Sequence, residues 1–221
     1  MDGVHDMGGR TELFGPLRTI DPAEKPFGEP WEGRAFALTL LANRSATASN
    51  LHAFRHALER VPEREYLADY YGRWLGSAEI LLQESGLLAP GAVEARARSL
   101  RGEDITEPAD PEPDKPTMES GGGGNMRTID DERRYAVGDR VRTSSEAAPG
   151  HTRLPGYVRG LVGTVTALRP AQVFPDTTAH FIAENPQWTY SVSYASTDVW
   201  GADAEPFELT IDLYETYLEK A

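Results

Sequence analysis

Two histidines spaced for metal binding are the first residues of this sequence that could do chemistry. His52 and His56 lie four residues apart, and a pair one helical turn apart can hold zinc. No third acidic or cysteine ligand stands at a matching distance, and the His-Glu-x-x-His motif is absent. Histidines at the surface or at an interface are therefore the better interpretation.

Motifs for nucleophilic catalysis and phosphate binding are also absent. The sequence contains no Gly-x-Ser-x-Gly turn, which would present a nucleophilic serine. The glycine run at residues 121–124 has no strand pattern before it and no Lys-Ser/Thr after it. It therefore lacks the features of a phosphate-binding loop.

Two arginines differ in what their local sequence indicates. Arg55 lies about 100° around a helix from Phe54, so it flanks the apolar stripe of that helix. Periodicity alone favours an ordinary solvent-exposed arginine there. Arg153 lies between Gly150 and Pro155 in a predicted loop, where a functional residue is more common than on a helix face.

A group of aromatic residues recurs at helical spacing. Tyr66, Tyr70, Tyr71 and Trp74 fall towards one side of a predicted helix, and Phe36 lies in an earlier one. Such a stripe is more often part of a core than of a binding site.

Composition excludes several classes of protein. The 221 residues carry a formal net charge of −13, which disfavours binding to nucleic acids and to anionic membrane surfaces. There is no cysteine, so the chain has no disulfide, thiolate metal site or cysteine nucleophile. The first residues lack the basic and apolar segments of a signal peptide, and a cytoplasmic location is expected.

The chain divides into four segments by composition and periodicity. We expect an N-terminal arm over residues 1–32, because its apolar side chains are too many for a solvated tail. A helical domain follows over residues 33–100, then an acidic Pro/Gly-rich linker over residues 101–131, and a β domain over residues 132–221. The arm's apolar residues are Phe14, Leu17, Ile20, Phe27 and Trp31.

The helical domain shows four periodic stretches. A short apolar helix is predicted over residues 35–41, and an amphipathic helix carries Leu51, Phe54, Leu58 and Val61. A third helix should run from Pro62 to a C-terminal Gly86, and a shorter helix should follow Pro90.

The linker and the β domain complete the organisation. Met126-Arg127-Thr128 after the glycine run would suit the start of a separate chain, so a fusion of two polypeptides and an ordinary linker both remain open. Alternating patterns at residues 136–142, 162–166, 189–194 and 208–213 predict short strands of a small barrel, with a helical or extended end at residues 214–218.

Several segments, in their order along the chain, resemble the beta subunits of nitrile hydratases. Val199 and Gly156 depart from the pattern, which has a leucine and a basic residue at these positions. The segments are residues 3–9 (GVHDMGG), 29–32 (EPWE), 150–160 (GHTRLPGYVRG), 163–165 (GTV), 174–177 (FPDT), 179–180 (AH), 184–187 (ENPQ), 199–201 (VWG) and 212–219 (DLYETYLE).

The resemblance implies an α+β fold with an extended arm, a helical domain, a flexible linker and a C-terminal SH3-like β-barrel. It implies hydration of a nitrile to an amide by Lewis-acid catalysis, at a low-spin cobalt(III) or iron(III) centre held by cysteines of an alpha subunit. Cobalt is the preferred metal, and this chain would bind none itself, which agrees with its lack of cysteine. The implied assembly is αβ, with (αβ)2 common in the family.

The resemblance also assigns roles to particular residues. Arg55 and Arg153 would donate hydrogen bonds to the oxidised cysteines of the alpha subunit, because a guanidinium stays charged and donates in a planar fork. The substrate pocket would be lined by some of the four aromatic residues Phe36, Tyr70, Tyr71 and Trp74. The stretch between Tyr66 and Tyr70 is one residue shorter than the family pattern, which leaves the individual pocket positions open.

Alternative functions remain at this stage. Thiocyanate hydrolase is a related enzyme whose corresponding subunits are split near this linker. Toyocamycin nitrile hydratase, another split-subunit relative, would fit two chains joined at the glycine run. A non-catalytic binding module with an SH3-like barrel is the alternative from another class, since such barrels host many functions.

Overall fold

Helices and strands are segregated into two units of the chain. The structure, a computed structural model, describes residues 3–15, 19, 23, 25–113, 124–146 and 148–221. One unit comprises the described residues of Gly15–Met118 and is helical. The other comprises the described residues of Met1–Phe14 and Glu119–Ala221 and is built on a sheet. Leu17, Ile20 and residues 114–123, on which the arm and linker predictions partly rest, lie outside the described residues.

The helical unit contains five helices among its described residues. They are α1 (Pro30–Thr47), α2 (Leu51–Glu59), α3 (Glu63–Ala68), α4 (Tyr70–Glu84) and α5 (Ala92–Leu100). None of the helices in the described part of the chain is both long and apolar enough to cross a membrane.

The first helix is longer than its apolar run predicts. Its start is set by Pro30, whose fixed φ suits the first helical turn, and by the Glu32 carboxylate, which accepts a hydrogen bond from the Glu29 N–H at 3.1 Å. It begins three residues before the expected boundary at residue 33 and continues to Thr47. The buried face carries small side chains, which allow close helix packing: Ala35, Thr39, Ala42 and Ala46.

The predicted third helix is in fact two. Asp69 has extended backbone angles (φ −152°, ψ 135°) between α3 and α4, so a single helix from Pro62 to Gly86 was wrong. Its carboxylate accepts a hydrogen bond from the Gly72 N–H at 2.8 Å and so caps α4. At the other end Gly86 has φ +65°, and the Leu87 N–H bonds back to the Leu82 carbonyl, as predicted for a glycine-terminated helix.

The second unit contains a six-stranded antiparallel sheet. The strand order is β5-β4-β3-β2-β6, and β1 pairs with β3. Separate helical and antiparallel units agree with the α+β prediction, and the sheet is an open one. Two short helices, α6 (Pro175–Thr178) and α7 (Ser196–Trp200), and a 3-10 helix (Glu215–Tyr217) lie between strands. The strands are β1 (Met126–Arg127), β2 (Arg140–Thr143), β3 (Val162–Gln172), β4 (Gln187–Ala195), β5 (Glu208–Tyr214) and β6 (Leu218–Lys220).

The core of the sheet unit lies against its long central strands. A Cβ at Gly163 would approach Val192 Cγ1 to 2.5 Å and the Ser193 carbonyl oxygen to 2.9 Å, so only glycine permits this separation of β3 and β4. Side chains that are almost completely buried there include Val141, Val158, Val165, Tyr190, Val192 and Leu213.

The first residues of the chain belong to the sheet unit. The Asp6 carboxylate accepts a hydrogen bond from the Gly156 N–H at 2.8 Å, and the Gly8 carbonyl accepts one from Trp200 Nε1 at 2.8 Å. The Phe14 ring lies 5.9 Å from the Trp200 ring. Within the segment predicted as an arm, the described residues up to Phe14 group with the sheet unit and those after it with the helical unit.

The first strand of the sheet unit is held by an ion pair. Residues 103–113 form no helix or strand, and β1 follows the residues outside the description. Arg127 in β1 makes a bidentate pair with Glu184, with Nε–Oε2 at 2.7 Å and side chains only 14% and 17% exposed. This pair fixes the two-residue strand against the loop before β4.

Raising the pH should destabilise the protein through Tyr190. Burial, together with its hydrogen bond to Glu215, raises the pKa of Tyr190 to about 12. An unfolded tyrosine ionises near pH 10, so its stabilising contribution is complete below about pH 10 and is lost as the pH rises towards 12. In Tyr190→Phe, the free energy of unfolding measured in urea should fall less steeply across this range. An equally steep fall would contradict the prediction. Below about pH 9 the free energies of unfolding of the variant and of the unsubstituted protein should differ by a constant amount.

Candidate functional site

An aromatic cluster on the helical unit contains all four aromatic residues implicated from the sequence. Phe36 projects from α1, and its ring centre lies 5.4 Å from that of Trp74 in α4. Tyr70 and Tyr71, at the start of α4, lie 5.9 Å and 6.2 Å from Trp74. The structure therefore brings these side chains together from two helices.

Burial differs between the members of the aromatic cluster. Trp74 packs against the helical core, with its ring 5.3 Å from that of Phe54. Tyr70 is 54% exposed, whereas Phe36 and Tyr71 are half-buried. The cluster is thus core on the Trp74 side and accessible on the Tyr70 side.

Arg73 fixes the orientation of Tyr70. Its guanidinium carbon lies 4.4 Å from the ring centre of buried Tyr66 and 4.6 Å from that of Tyr70. A guanidinium between two aromatic faces is attracted to both, which restricts the exposed ring. The exposed ring of Tyr70 is therefore held in a defined orientation.

Phe27 is a member of the cluster that periodicity does not reveal. Its ring lies 5.4 Å from Tyr71 and 6.0 Å from Phe36. The Tyr71 hydroxyl donates to the Pro26 carbonyl at 3.3 Å, which holds the same segment on α4. Desolvation raises the pKa of Tyr71, with smaller contributions from Tyr70 and Glu32. Phe27 lies in a Gly/Pro-rich stretch with no repeating pattern, so only its apolar character pointed to packing.

Arg55 is positioned by a short, well-capped helix. The Asn50 side chain accepts hydrogen bonds from the N–H groups of His52 at 3.0 Å and Ala53 at 3.1 Å, which starts α2. Phe54 and Ala57 of this helix are buried, and Arg55 between them is half-buried. Arg55 therefore flanks the apolar stripe, as predicted from its angular position.

Arg153 lies in an anchored loop of the sheet unit. Gly150 begins the loop with φ +93°, a conformation that favours glycine, and a Cβ there would meet His180 Nε2 at 2.7 Å. Thr152 and Leu154, on either side of Arg153, are buried, and Arg153 itself is half-buried. Within the described parts of the chain the Arg153 guanidinium makes no hydrogen bond or ion pair.

The hydroxyl of Tyr217 holds this loop. It accepts hydrogen bonds from Thr152 Oγ1 at 3.0 Å and from the Arg153 N–H at 3.1 Å, and it donates to Asp176 Oδ1. Burial raises the pKa of Tyr217 well above its usual value, with a further contribution from Asp176. Burial also raises the pKa of Asp176, although its hydrogen bonds oppose this shift. Sequence reasoning gave no role to Tyr217 or Asp176.

The two candidate arginines lie in different units, each half-buried. A half-buried guanidinium is a strong donor to anionic oxygens, and it is best stabilised when such oxygens are present. The chain thus presents a cation on each unit and an accessible aromatic surface on the helical one.

Comparison with protein families accounts for both units. The model of the nitrile hydratase beta subunit, N-terminal, matches residues 1–121, and that of the nitrile hydratase beta subunit, C-terminal, matches residues 124–220. The chain therefore belongs to the nitrile hydratase beta subunit family.

Individual relatives match over the full length. The chain is 37% identical over 226 residues to the low-molecular weight cobalt-containing nitrile hydratase subunit beta of Rhodococcus rhodochrous, covering 99% of each chain. It is 36% identical over 230 residues to the nitrile hydratase subunit beta of Pseudomonas putida, covering 100% of each.

A more distant relative matches only part of the chain. Thiocyanate hydrolase subunit alpha of Thiobacillus thioparus is 34% identical over 91 residues, which are 40% of this chain and 72% of that one. A solved structure of the recombinant apo-enzyme from the same organism covers 41% of this chain and 78% of its own, at 32% identity and a TM-score of 0.39.

Removing the cap of α2 should destabilise the helix that carries Arg55. In Asn50→Ala the N–H groups of His52 and Ala53 lose their acceptor, so the free energy of unfolding should fall by about 1 kcal/mol. Asn50→Asp retains an acceptor oxygen and is the matched control. Urea denaturation of both variants measures the difference, and equal stability of the alanine and aspartate variants would contradict the capping role.

Proposed function

We propose that this chain is the beta subunit of an enzyme that hydrates a nitrile to the corresponding amide together with a metal-bearing alpha subunit. The observation that carries the proposal is full-length similarity to chains named nitrile hydratase subunit beta. Covering 99% or 100% of both chains, these matches include each segment that contributes a candidate residue.

The metal is assigned to the alpha subunit on the chemistry of the available donors. A low-spin cobalt or iron centre of the expected kind requires cysteine sulfurs, and this chain has none. Its residues therefore do not fit such a metal. Low-spin cobalt(III) is preferred over iron(III) because the Rhodococcus rhodochrous relative is named as cobalt-containing.

In this proposal Arg55 and Arg153 donate hydrogen bonds to oxidised cysteine oxygens of the alpha subunit. Buried anionic oxygens are costly unless charged donors meet them. Each arginine is half-buried, and Arg153 has no hydrogen bond or ion pair within the described residues, which suits a donor to a partner chain. The two arginines would hold the metal's ligands in place.

The accessible side of the aromatic cluster is proposed to line the substrate pocket. Tyr70 is the exposed member and is oriented by Arg73, whereas Phe36 is half-buried and Trp74 packs on the helical core. An aromatic surface of this kind accommodates the apolar part of a nitrile.

The alpha subunit is proposed to cover the exposed leucines of α1. Leu38, Leu40 and Leu41 are 57%, 50% and 61% exposed, whereas the small side chains of the same helix are buried. Exposed leucines grouped on one helix are typical of a surface that a partner protein covers. We propose an αβ complex that pairs into (αβ)2, located in the cytoplasm.

The sheet unit is proposed to be an SH3-like barrel. Four strands, β2 to β5, form a meander, a 3-10 helix follows β5, and β6 returns to pair with β2. This order is typical of small barrels that close their first and last strands on each other. Its proposed limits are residues 132–221, after a linker over residues 101–131, a helical domain over residues 33–100 and an arm over residues 1–32.

A subunit of thiocyanate hydrolase is the second candidate. The partial match favours it less, since it reaches only 40% of this chain. A relative matched over 91 residues nevertheless supports a chain assembled from two separable parts. The toyocamycin type and the non-catalytic module stay as predictions from the sequence.

Co-expression with a candidate alpha subunit tests the proposed function. The alpha subunit should carry the Cys-x-x-Cys-Ser-Cys motif and be produced in cobalt-supplemented medium. Amide formation from a panel of nitriles by a co-purifying complex is expected. A chain that remains monomeric and supports neither nitrile nor thiocyanate turnover would favour the non-catalytic module.

Lysine at either candidate arginine should reduce turnover without preventing assembly. Lysine keeps the charge but cannot donate a planar fork, so Arg55→Lys and Arg153→Lys should each lower kcat by about 10²-fold. The matched controls are Arg64→Lys in α3 and Arg140→Lys in β2, both exposed. Steady-state kinetics of the purified complexes measure the effect, and full activity in both test variants would contradict the assigned roles.

Alanine substitutions within the aromatic cluster should distinguish a residue that lines the pocket from one that belongs to the core. Tyr70→Ala should raise KM for an aromatic nitrile by about tenfold, the loss of roughly one aromatic contact, with little change in melting temperature. Trp74→Ala should lower the melting temperature, because its ring packs on the core around Phe54. Kinetics and thermal denaturation of the complex distinguish the two, and an unchanged KM in Tyr70→Ala would remove Tyr70 from the pocket.

A further inference from the structure

We propose that Tyr217 is the positioning residue that sets the location of Arg153 in the assembled enzyme. The inference rests on the proposed function, since it gives Arg153 a task that requires accurate placement. Tyr217 does so through the main chain, because its hydroxyl binds the N–H group of Arg153 itself.

The hydroxyl of Tyr217 uses its full hydrogen-bonding capacity. A phenol has one proton to donate and two lone pairs that accept. Here the proton goes to Asp176 Oδ1, and the lone pairs accept from Thr152 Oγ1 and the Arg153 N–H. The Leu154 N–H in turn donates to Thr152 Oγ1 at 3.3 Å. Thr152 and Arg153 therefore bind one oxygen atom directly, and Leu154 is held through Thr152.

Burial makes these bonds hard to replace. Tyr217 is 5% exposed and Thr152 is 1% exposed, so bulk water does not reach this oxygen. A buried N–H that loses its acceptor is strongly unfavourable, and the loop would avoid this cost by moving. Removing the hydroxyl should therefore displace Arg153 rather than leave it in place.

The ring of Tyr217 is itself held rigidly. It lies 5.6 Å from the ring of Phe174 and 5.7 Å from that of Tyr214. Its main-chain carbonyl accepts a hydrogen bond from the Ser144 N–H at 2.8 Å, directly after β2. The hydroxyl is thus fixed by the sheet and can transmit that position to the loop.

The expected kinetic effect falls on turnover. A displacement of about 1 Å in a positioned group can cost about 10²-fold in rate. Tyr217 belongs to the sheet unit, whereas the aromatic cluster belongs to the helical unit, so the substitution changes no residue of that cluster. A lower kcat with a nearly unchanged KM therefore separates positioning from a loss of substrate binding.

Tyr217→Phe in the co-expressed alpha–beta complex tests the inference. We expect kcat to fall by about tenfold or more, with KM within about twofold. Hydrogen exchange of the peptide that contains residues 150–156 should become faster in the intact complex. Tyr135→Phe is the matched control, because it also removes a buried hydroxyl, one that donates to the Leu218 carbonyl at 2.7 Å rather than to the loop.

A double variant separates this inference from the proposed function. If Tyr217 acts through Arg153, Tyr217→Phe combined with Arg153→Lys should lose no more activity than Arg153→Lys alone. Additive losses, or a Tyr217→Phe variant with unchanged kcat and unchanged exchange, would overturn the positioning role while Arg153 keeps its own. Full activity in Arg153→Lys would instead overturn the role proposed for Arg153. If Tyr217→Phe does not assemble, Thr152→Val removes one partner of the same oxygen and is judged by the same measurements.

Discussion

The return of the last strand onto β2 is the constraint on which the sheet unit depends. Thr143 pairs with Leu218, the residue that follows the 3-10 helix Glu215–Tyr217. This pairing places Tyr217 in contact with the loop that carries Arg153. A residue near the C-terminus thus determines the position of a cation more than sixty residues earlier in the chain.

Half-buried arginines in an acidic chain are the basis of the division of work proposed between the subunits. A charged group loses hydration when it is partly buried, and this loss is recovered only if an anion meets it. In the proposed complex the anion that meets Arg153 belongs to the partner. The helical unit contributes an arginine and an aromatic surface by helix geometry, and the sheet unit contributes an arginine by a loop held on buried hydroxyl and carboxylate groups.

Periodicity predicted most of the elements but not their limits. The apolar residues of α2 recur every three or four positions, and those of the strands β4 and β5 recur at every second position. Both patterns can be seen in the local sequence. The break at Asp69 depends on one side chain capping Gly72, a local competition that an apolar stripe does not reveal. Phe27 and Tyr217 act through contacts distant in sequence, so no spacing rule identifies them. The resemblance brought Arg55 and Arg153 to attention, and structure supplied the means by which each is held.

The N-terminal residues up to Phe14 and the strands after the linker lie in one unit, which has a consequence for folding during synthesis of the chain. Asp6 meets Gly156, and the carbonyl of Gly8 meets Trp200, so these partners emerge from the ribosome 150 and 192 residues after the groups they bind. At typical rates of translation, about 5–20 residues per second, the N-terminal segment waits roughly 10–40 s for Trp200. Residues 15–118 are complete well before then, so the helical unit can fold while the segment before it is still without its binding surface.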